Sequence, residues 1–292
     1  MVNDNLKKKF MSLIVVMFFI AISVIGFAGI VTQNMSGNGT YGVAQIQNNG
    51  KASNQYTYIN WAGYGFFNMP WYTFGQRETI ESVSEYVHVP TVSLCSQAGG
   101  AFQDLLIWDG LSANHDGTNM WQAGILQNPQ NGSICMFEEH YYTGASFGWT
   151  LSYFGSKPHI EPGNNIYIYL NYQGSTFHSE ITDVSNGMTY YPGNRTFVTQ
   201  SLTPTFFLSV VETPTDYGTI TALPHFSDFT VNSLTYYSGG ECISGANSYS
   251  SGSYAKYVME KDTSVGPNID THFSTSCSAD GGYSVNWENS YN

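Results

Sequence analysis

The sequence predicts an all-β fold over residues 56–292: two antiparallel sheets packed as a sandwich of the concanavalin A-like or jelly-roll type. Three observations carry that expectation. Short runs of β-branched and aromatic residues recur between turn signals from Tyr56 onward. No segment after residue 34 sustains a long 3.6-residue apolar repeat. Polarity comes mostly from serine, threonine, asparagine, glycine and 22 tyrosines, the last being common formers of strand surfaces.

Taken in order, the chain opens with Lys7, Lys8 and Lys9 followed by an uncharged apolar run from Phe10 to Val31. This is a membrane-targeting pattern. The run is about 22 residues long, against the roughly 20 that a bilayer requires. Residues 1–33 therefore read as a hydrophobic helix serving as a signal peptide or an uncleaved transmembrane anchor. The small pair Ala28-Gly29 marks a possible cut, and the lysines belong on the cytoplasmic side. Residues 34–55, rich in Asn, Gly, Ser and Gln, read as a flexible linker or pro-segment. An extracellular body follows, either secreted or tethered to the outer face of the membrane.

Within that body Val83, Val87 and Val89 alternate with polar neighbours up to Pro90. A strand from Ile166 to Tyr172 follows the turn signal Glu161-Pro162-Gly163-Asn164. Thr176–Thr182 forms another, ended by the turn residues 183–187; Phe226–Tyr237 and Tyr283–Trp287 read the same way. Residues 239–253, rich in Gly, Ser and Asn, read as a long loop. The apolar run Phe206–Val211 closes on Glu212, and Gln122 interrupts an apolar stretch after Trp121. A carboxylate and a primary amide set into such strands are candidates to share one pocket.

Charge narrows the partners. Without Lys7, Lys8, Lys9 and Asp4, six basic and 20 acidic residues remain, a net charge near −14. No basic stripe exists to neutralise phosphates, so nucleic acid is excluded as a partner. Only 10% of residues are charged, against a usual ~25%. Such a surface changes little in hydration when carboxylates protonate, which suits an acidic milieu and equally an ordinary extracellular one. Cys95, Cys135, Cys242 and Cys277 make one or two disulfides possible in an oxidising compartment, with three pairings open. No Cys-x-x-Cys occurs, and neither metal nor cofactor is expected. Asn34, Asn38, Asn131 and Asn194 each begin an Asn-x-Ser/Thr triplet.

In order along the chain, several segments resemble one family, the glutamic peptidases (eqolisins, family G1). Asn60-Trp61-Ala62-Gly63 resembles its opening N-W-[AG]-G, and Val83–Pro90 its following strand ending in V-P. Ile107-Trp108-Asp109-Gly110 resembles the tail of W-x-G-x-D-G. Trp121-Gln122-Ala123-Gly124 resembles L-Q-[TA]-G, and Phe137–Tyr142 resembles W-Y-E-W-Y-P. Pro162-Gly163-Asn164 resembles the P-G-D turn, and Glu180–Met188 the strand after it. Val210-Val211-Glu212 resembles [IV]-[IV]-E, Leu223–Phe226 resembles V-P-F, and Tyr283–Trp287 the last strand. The match spans roughly residues 56–290. The chain departs where the first aromatic of W-x-G-x-D-G aligns with Leu105, and where an acidic residue after the glutamine aligns near Leu126.

The resemblance implies a sandwich fold and an acid endopeptidase acting on polypeptides, with Glu212 and Gln122 catalytic. It further suggests Trp61, Trp121, Asp109 and either Glu138 or Glu139 as substrate-binding residues, His140 being structural. Its physics is simple. A glutamate takes a proton from water and returns it to the leaving nitrogen. A neutral amide donates to the oxyanion and does not titrate. A carboxylate ionised near its ordinary value of ~4.3 in the free enzyme then gives an acidic optimum. A monomer is expected, with the membrane met only through residues 10–31. Two other readings use the same residues. One is a non-catalytic sandwich binding glycans, motivated by the aromatic richness. The other is a glycosidase pairing Glu138 or Glu139 with Glu212, for which a carboxyl separation of about 5–10 Å is the signature.

Overall fold

The computed structural model describes residues 54–58, 61–68, 78–95, 103–113, 119–142, 145–153, 160–174, 176–196, 202–216, 219–220, 223–251, 253–259, 271–277 and 281–289. The expected hydrophobic helix at 10–31 and nearly all of the expected linker lie outside them.

Two sheets dominate. Sheet A runs β1 (Asn54–Tyr58), β18 (Tyr254–Met259), β2 (Trp61–Phe66), β12 (Phe206–Glu212), β5 (Leu105–Ser112), β6 (Asn119–Asn128), β7 (Ser133–Tyr142) and β8 (Ala145–Tyr153). Sheet B runs β11 (Met188–Thr196), β10 (Thr176–Asp183), β9 (Asn165–Gln173), β3 (Ile80–His88), β16 (Phe229–Ser238), β20 (Tyr283–Asn289) and β19 (Thr271–Cys277). A short strand, β17 (Glu241–Ser244), pairs with β16. Pairings within the sheets are antiparallel except that of β1 with β18. The strands expected at Val83, Ile166, Thr176, Phe226 and Tyr283 are β3, β9, β10, β16 and β20. Both expected turns form. Gly163 and Gly187 take φ of 89° and 72°, and the Asp183 carboxylate accepts from Ser185 N and Asn186 Nδ2 at 2.9 and 2.7 Å.

The sheets enclose one apolar core. Trp121 of β6 stacks on Phe177 of β10, ring centroids 5.6 Å apart, and Tyr64 of β2 meets Tyr283 of β20 at 5.1 Å. Alternation along β2, β5, β6 and β12 sends one set of side chains into this core: Ala62, Ile107, Ala123, Phe207 and Val211 among them. The other set forms a second buried cluster on the far face, including Trp61, Trp108, Phe137, Leu208, Val210 and Tyr257. Strands β5 and β12 are therefore buried along their whole length, which is why Phe206–Val211 reads as an apolar run.

Two expectations are corrected. Residues 239–253 are not a loop: they hold β17 and a helix, α1 (Gly245–Ser251). Its Gly-Ala-Asn-Ser-Tyr-Ser-Ser sequence is a poor helix former. Buried Ser248 anchors it, its Oγ lying 2.7 Å from the Tyr236 hydroxyl of β16. Cys95, Cys135 and Cys242 form no disulfide with one another, so the pairings that the cysteine count allows among these three are not made.

Candidate active site

Glu212 and Gln122 stand on the same face of the same sheet. Glu212 ends β12, and Gln122 lies near the start of β6; β5 runs between them. Glu212 pairs with Leu106 of β5, and Gln122 with Gly110. Trp108 sits midway between those two positions and, by alternation, on the same face. Its indole Nε1 donates to Glu212 Oε2 at 2.8 Å. The other end of the ring lies over Gly110, where an added Cβ would come within 2.9 Å of it. The glycine leaves the indole room to lie flat across the gap. Trp61, opposite Glu212 on β2, gives the carboxyl a second hydrogen bond and packs edge-on against Trp108, centroids 5.2 Å apart.

Glu139 of β7 completes the group. It pairs with Gln122, and its Oε2 accepts from Gln122 Nε2 at 2.7 Å. A carboxylate only accepts, so the nitrogen end of the amide is the one turned to it. Glu212, Gln122 and Glu139 are 7%, 1% and 0% exposed. That burial, more than anything else, pushes the Glu212 carboxyl up to about 8. The indoles of Trp61 and Trp108 oppose the shift, and the nearby Glu139 charge adds to it. The ordinary value of ~4.3 expected for Glu212 is therefore not kept: burial raises the carboxyl and favours its protonated form in acid.

The remaining candidates do not join this group. Asp109, Trp121 and Glu138 each neighbour a site residue in sequence, so alternation turns them to the opposite face, into the core. Asp109 faces Glu85 of β3, and Trp121 packs on Phe177. Glu138 accepts from Ser179 Oγ of β10 at 2.7 Å. These three therefore stand on the inner face of sheet A, away from Glu212 and Gln122. The pairing of β7 with β8 slips between Glu138 and His140, and the two adjacent glutamates are buried on opposite sides of one strand. His140 lies 3.4 Å from Asn119 Oδ1, and burial lowers its ring to about 4. Trp108 is the residue that the sequence reading passed over. Its even-numbered place on β5, two before Gly110, was the available signal.

Comparison with known proteins bears on the family and the fold. The profile of the Peptidase A4 family matches residues 59–272. No curated protein matches the sequence. Among solved structures, a scytalido-glutamic peptidase with a transition state analog inhibitor is similar at 15% identity and a TM-score of 0.58. It covers 79% of this chain and 98% of that one. A complex of the same peptidase with a peptide-based transition state analog gives 17%, 0.56 and the same coverage. SCP-B, described as a member of the eqolisin family in complex with the tripeptide Ala-Ile-His, gives 16% and 0.56, covering 79% and 98%. At these identities the likeness is one of fold. The class of protein is thus a peptidase on a two-sheet β scaffold. The chain belongs to the Peptidase A4 family, the glutamic (eqolisin) peptidases, and is a glutamic-type endopeptidase.

Proposed function

We propose that this protein is an exported acid endopeptidase in which Glu212 moves the protons and Gln122 stabilises the oxyanion. The observation that carries the reading is Glu139's double engagement. It holds one N–H of Gln122, and its charge bears on Glu212, so two residues 90 positions apart belong to one electrostatic unit. The second N–H of the Gln122 amide remains to meet a developing oxyanion, a contact worth a few kcal/mol in a water-poor site.

Burial is the largest cause of the raised Glu212 value, so that value follows access. Water entering with the peptide hydrates the carboxyl and favours its ionisation. The bound peptide then excludes bulk water, which makes the carboxylate a stronger base that takes a proton from the attacking water. The water oxygen bonds to the carbonyl carbon, and the carbonyl oxygen becomes the oxyanion facing Gln122. As the C–N bond breaks, Glu212 returns the proton to the departing nitrogen. Trp61 and Trp108 hold the carboxyl in place throughout.

Glu139 also places a second carboxylate near Glu212, which a glycosidase would require. The amide between the two, together with membership of a peptidase family, favours peptide hydrolysis. The lysine-flanked apolar run at residues 10–31 supports export, with the body secreted or tethered outside the cell. The experiment is digestion of an unfolded protein at pH 2–4 by the parent, Glu212→Gln and Gln122→Ala. Parent-like rates from either variant would remove that residue from the mechanism.

A further inference from the structure

Sheet A carries a second acidic group on its inner face, directly behind the first. Asp109 of β5 and Ser209 of β12 are register partners, and both point into the core toward Glu85 of β3. Glu85 Oε2 accepts from Ser209 Oγ at 2.6 Å. The Ser209 Oγ lies 2.6 Å from the Tyr283 hydroxyl of β20, which then donates to it. Glu85, Asp109 and Ser209 are all fully buried. Among the described residues no N–H or O–H reaches either Asp109 oxygen or Glu85 Oε1. A hydrogen bond between the two carboxyls therefore exists only while one of them carries a proton.

The surroundings offer no substitute for that proton. The titratable groups facing the pair are the phenols of Tyr283 and of Tyr64 on β2. The strands beside it contribute Ala123, Ile168 and Leu234, all apolar. On β16 the pairing with β3 skips Ser233 and Leu234, so that two residues oppose Glu85 and Ser233 takes a φ of 50°. No lysine or arginine is among the buried described residues. Burial raises Glu85 to about 7, and burial and the Glu85 charge hold Asp109 well above the usual carboxylate range.

We propose that Glu85 and Asp109 form an acid-held clamp between the sheets: a shared proton fastens the strand bearing Glu212 to sheet B, and neutralisation loosens the sandwich and switches the peptidase off. The clamp joins β3 and β20 of one sheet to β5 and β12 of the other, three residues before Glu212 and one after Trp108. It does not depend on which side chains carry the chemistry.

The sign follows from linkage. Unfolded carboxyls lose their protons near pH 4, whereas the folded pair keeps at least one until about pH 7. Between those values the folding equilibrium constant falls about tenfold per pH unit for each proton retained. Glu212 acts in the same direction, up to about pH 8. His140, lowered to about 4, acts in the opposite direction up to roughly 6.5. The readout is therefore a difference between variants, taken in a Glu212→Gln background that removes both that titration and self-digestion. The Tm of this full-length protein and of its Asp109→Asn derivative would be followed from pH 3 to 8. The amide of Asp109→Asn donates to Glu85 without needing a proton, so its stability is expected to fall with pH about one proton less steeply. Equal slopes would overturn the clamp. Infrared spectroscopy of the background protein alone gives a second arm: a protonated-carboxyl band persisting at pH 6 is expected, and its absence would overturn the clamp even if Asp109→Asn does not fold.

Discussion

The two faces of sheet A carry buried acids that solve the same problem in different ways. On the outer face Glu212 and Glu139 are met by indole and amide donors. Gln122 Oε1 has no hydrogen-bond partner among the described residues. On the inner face Glu85 is met by the Ser209 hydroxyl, itself met by that of Tyr283, and Glu85 and Asp109 are met by each other. Fixed donors with an unfilled oxygen leave room for a ligand to complete the set. A group satisfied by its own proton leaves none, and it ties stability to pH instead. The comparison teaches that burial alone does not mark a catalytic acid; the kind of donor around it does.

That contrast can be tested by breaking each side in turn. The largest effect is expected from Glu212→Gln, which removes the proton carrier. kcat/KM on a protein substrate in acid should fall by about 10²–10⁴-fold, while the circular dichroism spectrum is kept. Gln122→Ala should cost about 10²–10³-fold, the usual worth of one oxyanion donor, and should appear in kcat rather than KM. On the inner face, Ser209→Ala leaves Glu85 Oε2 and the Tyr283 hydroxyl without the partner they share. A loss of about 1–3 kcal/mol in denaturant unfolding at pH 3 is expected, with kcat/KM there within a few-fold of the parent. A rate loss rivalling that of Gln122→Ala would show that the faces are not separable. The smallest effect is a shift. The Glu139 charge helps to raise Glu212, so Glu139→Gln should move the Glu212 limb of the pH–kcat/KM profile to lower pH. Movement to higher pH would contradict the arrangement.

Much of the scaffold was legible in the sequence because turns and strands are local. Pro162-Gly163 and residues 183–187 carry their own turn chemistry, and Ile166–Tyr172 and Thr176–Thr182 are β-rich between them. Helix α1 was not legible, because the hydroxyl contact of Ser248 with Tyr236 outweighs a sequence unsuited to helix. At the site, Glu212 and Gln122 stood out as polar residues in apolar strands. Asp109, Trp121 and Glu138 were carried over from motif resemblance, which places a residue along the chain but not on a face of the sheet. On a strand the next residue belongs to the other face.

The sequence by itself determined the β character of the body, its acidic, weakly charged surface and the residue types available for hydrolysis. These follow from composition and period-two patterning, which each segment carries alone. Which face each acid occupies, that Trp108 rather than Trp121 attends Glu212, and that Glu85 meets Asp109 were decided only by tertiary structure. The reason is physical: strand register and sheet pairing bring together groups 24 to 104 residues apart, and burial, which exists only once the sheets have packed, sets their protonation.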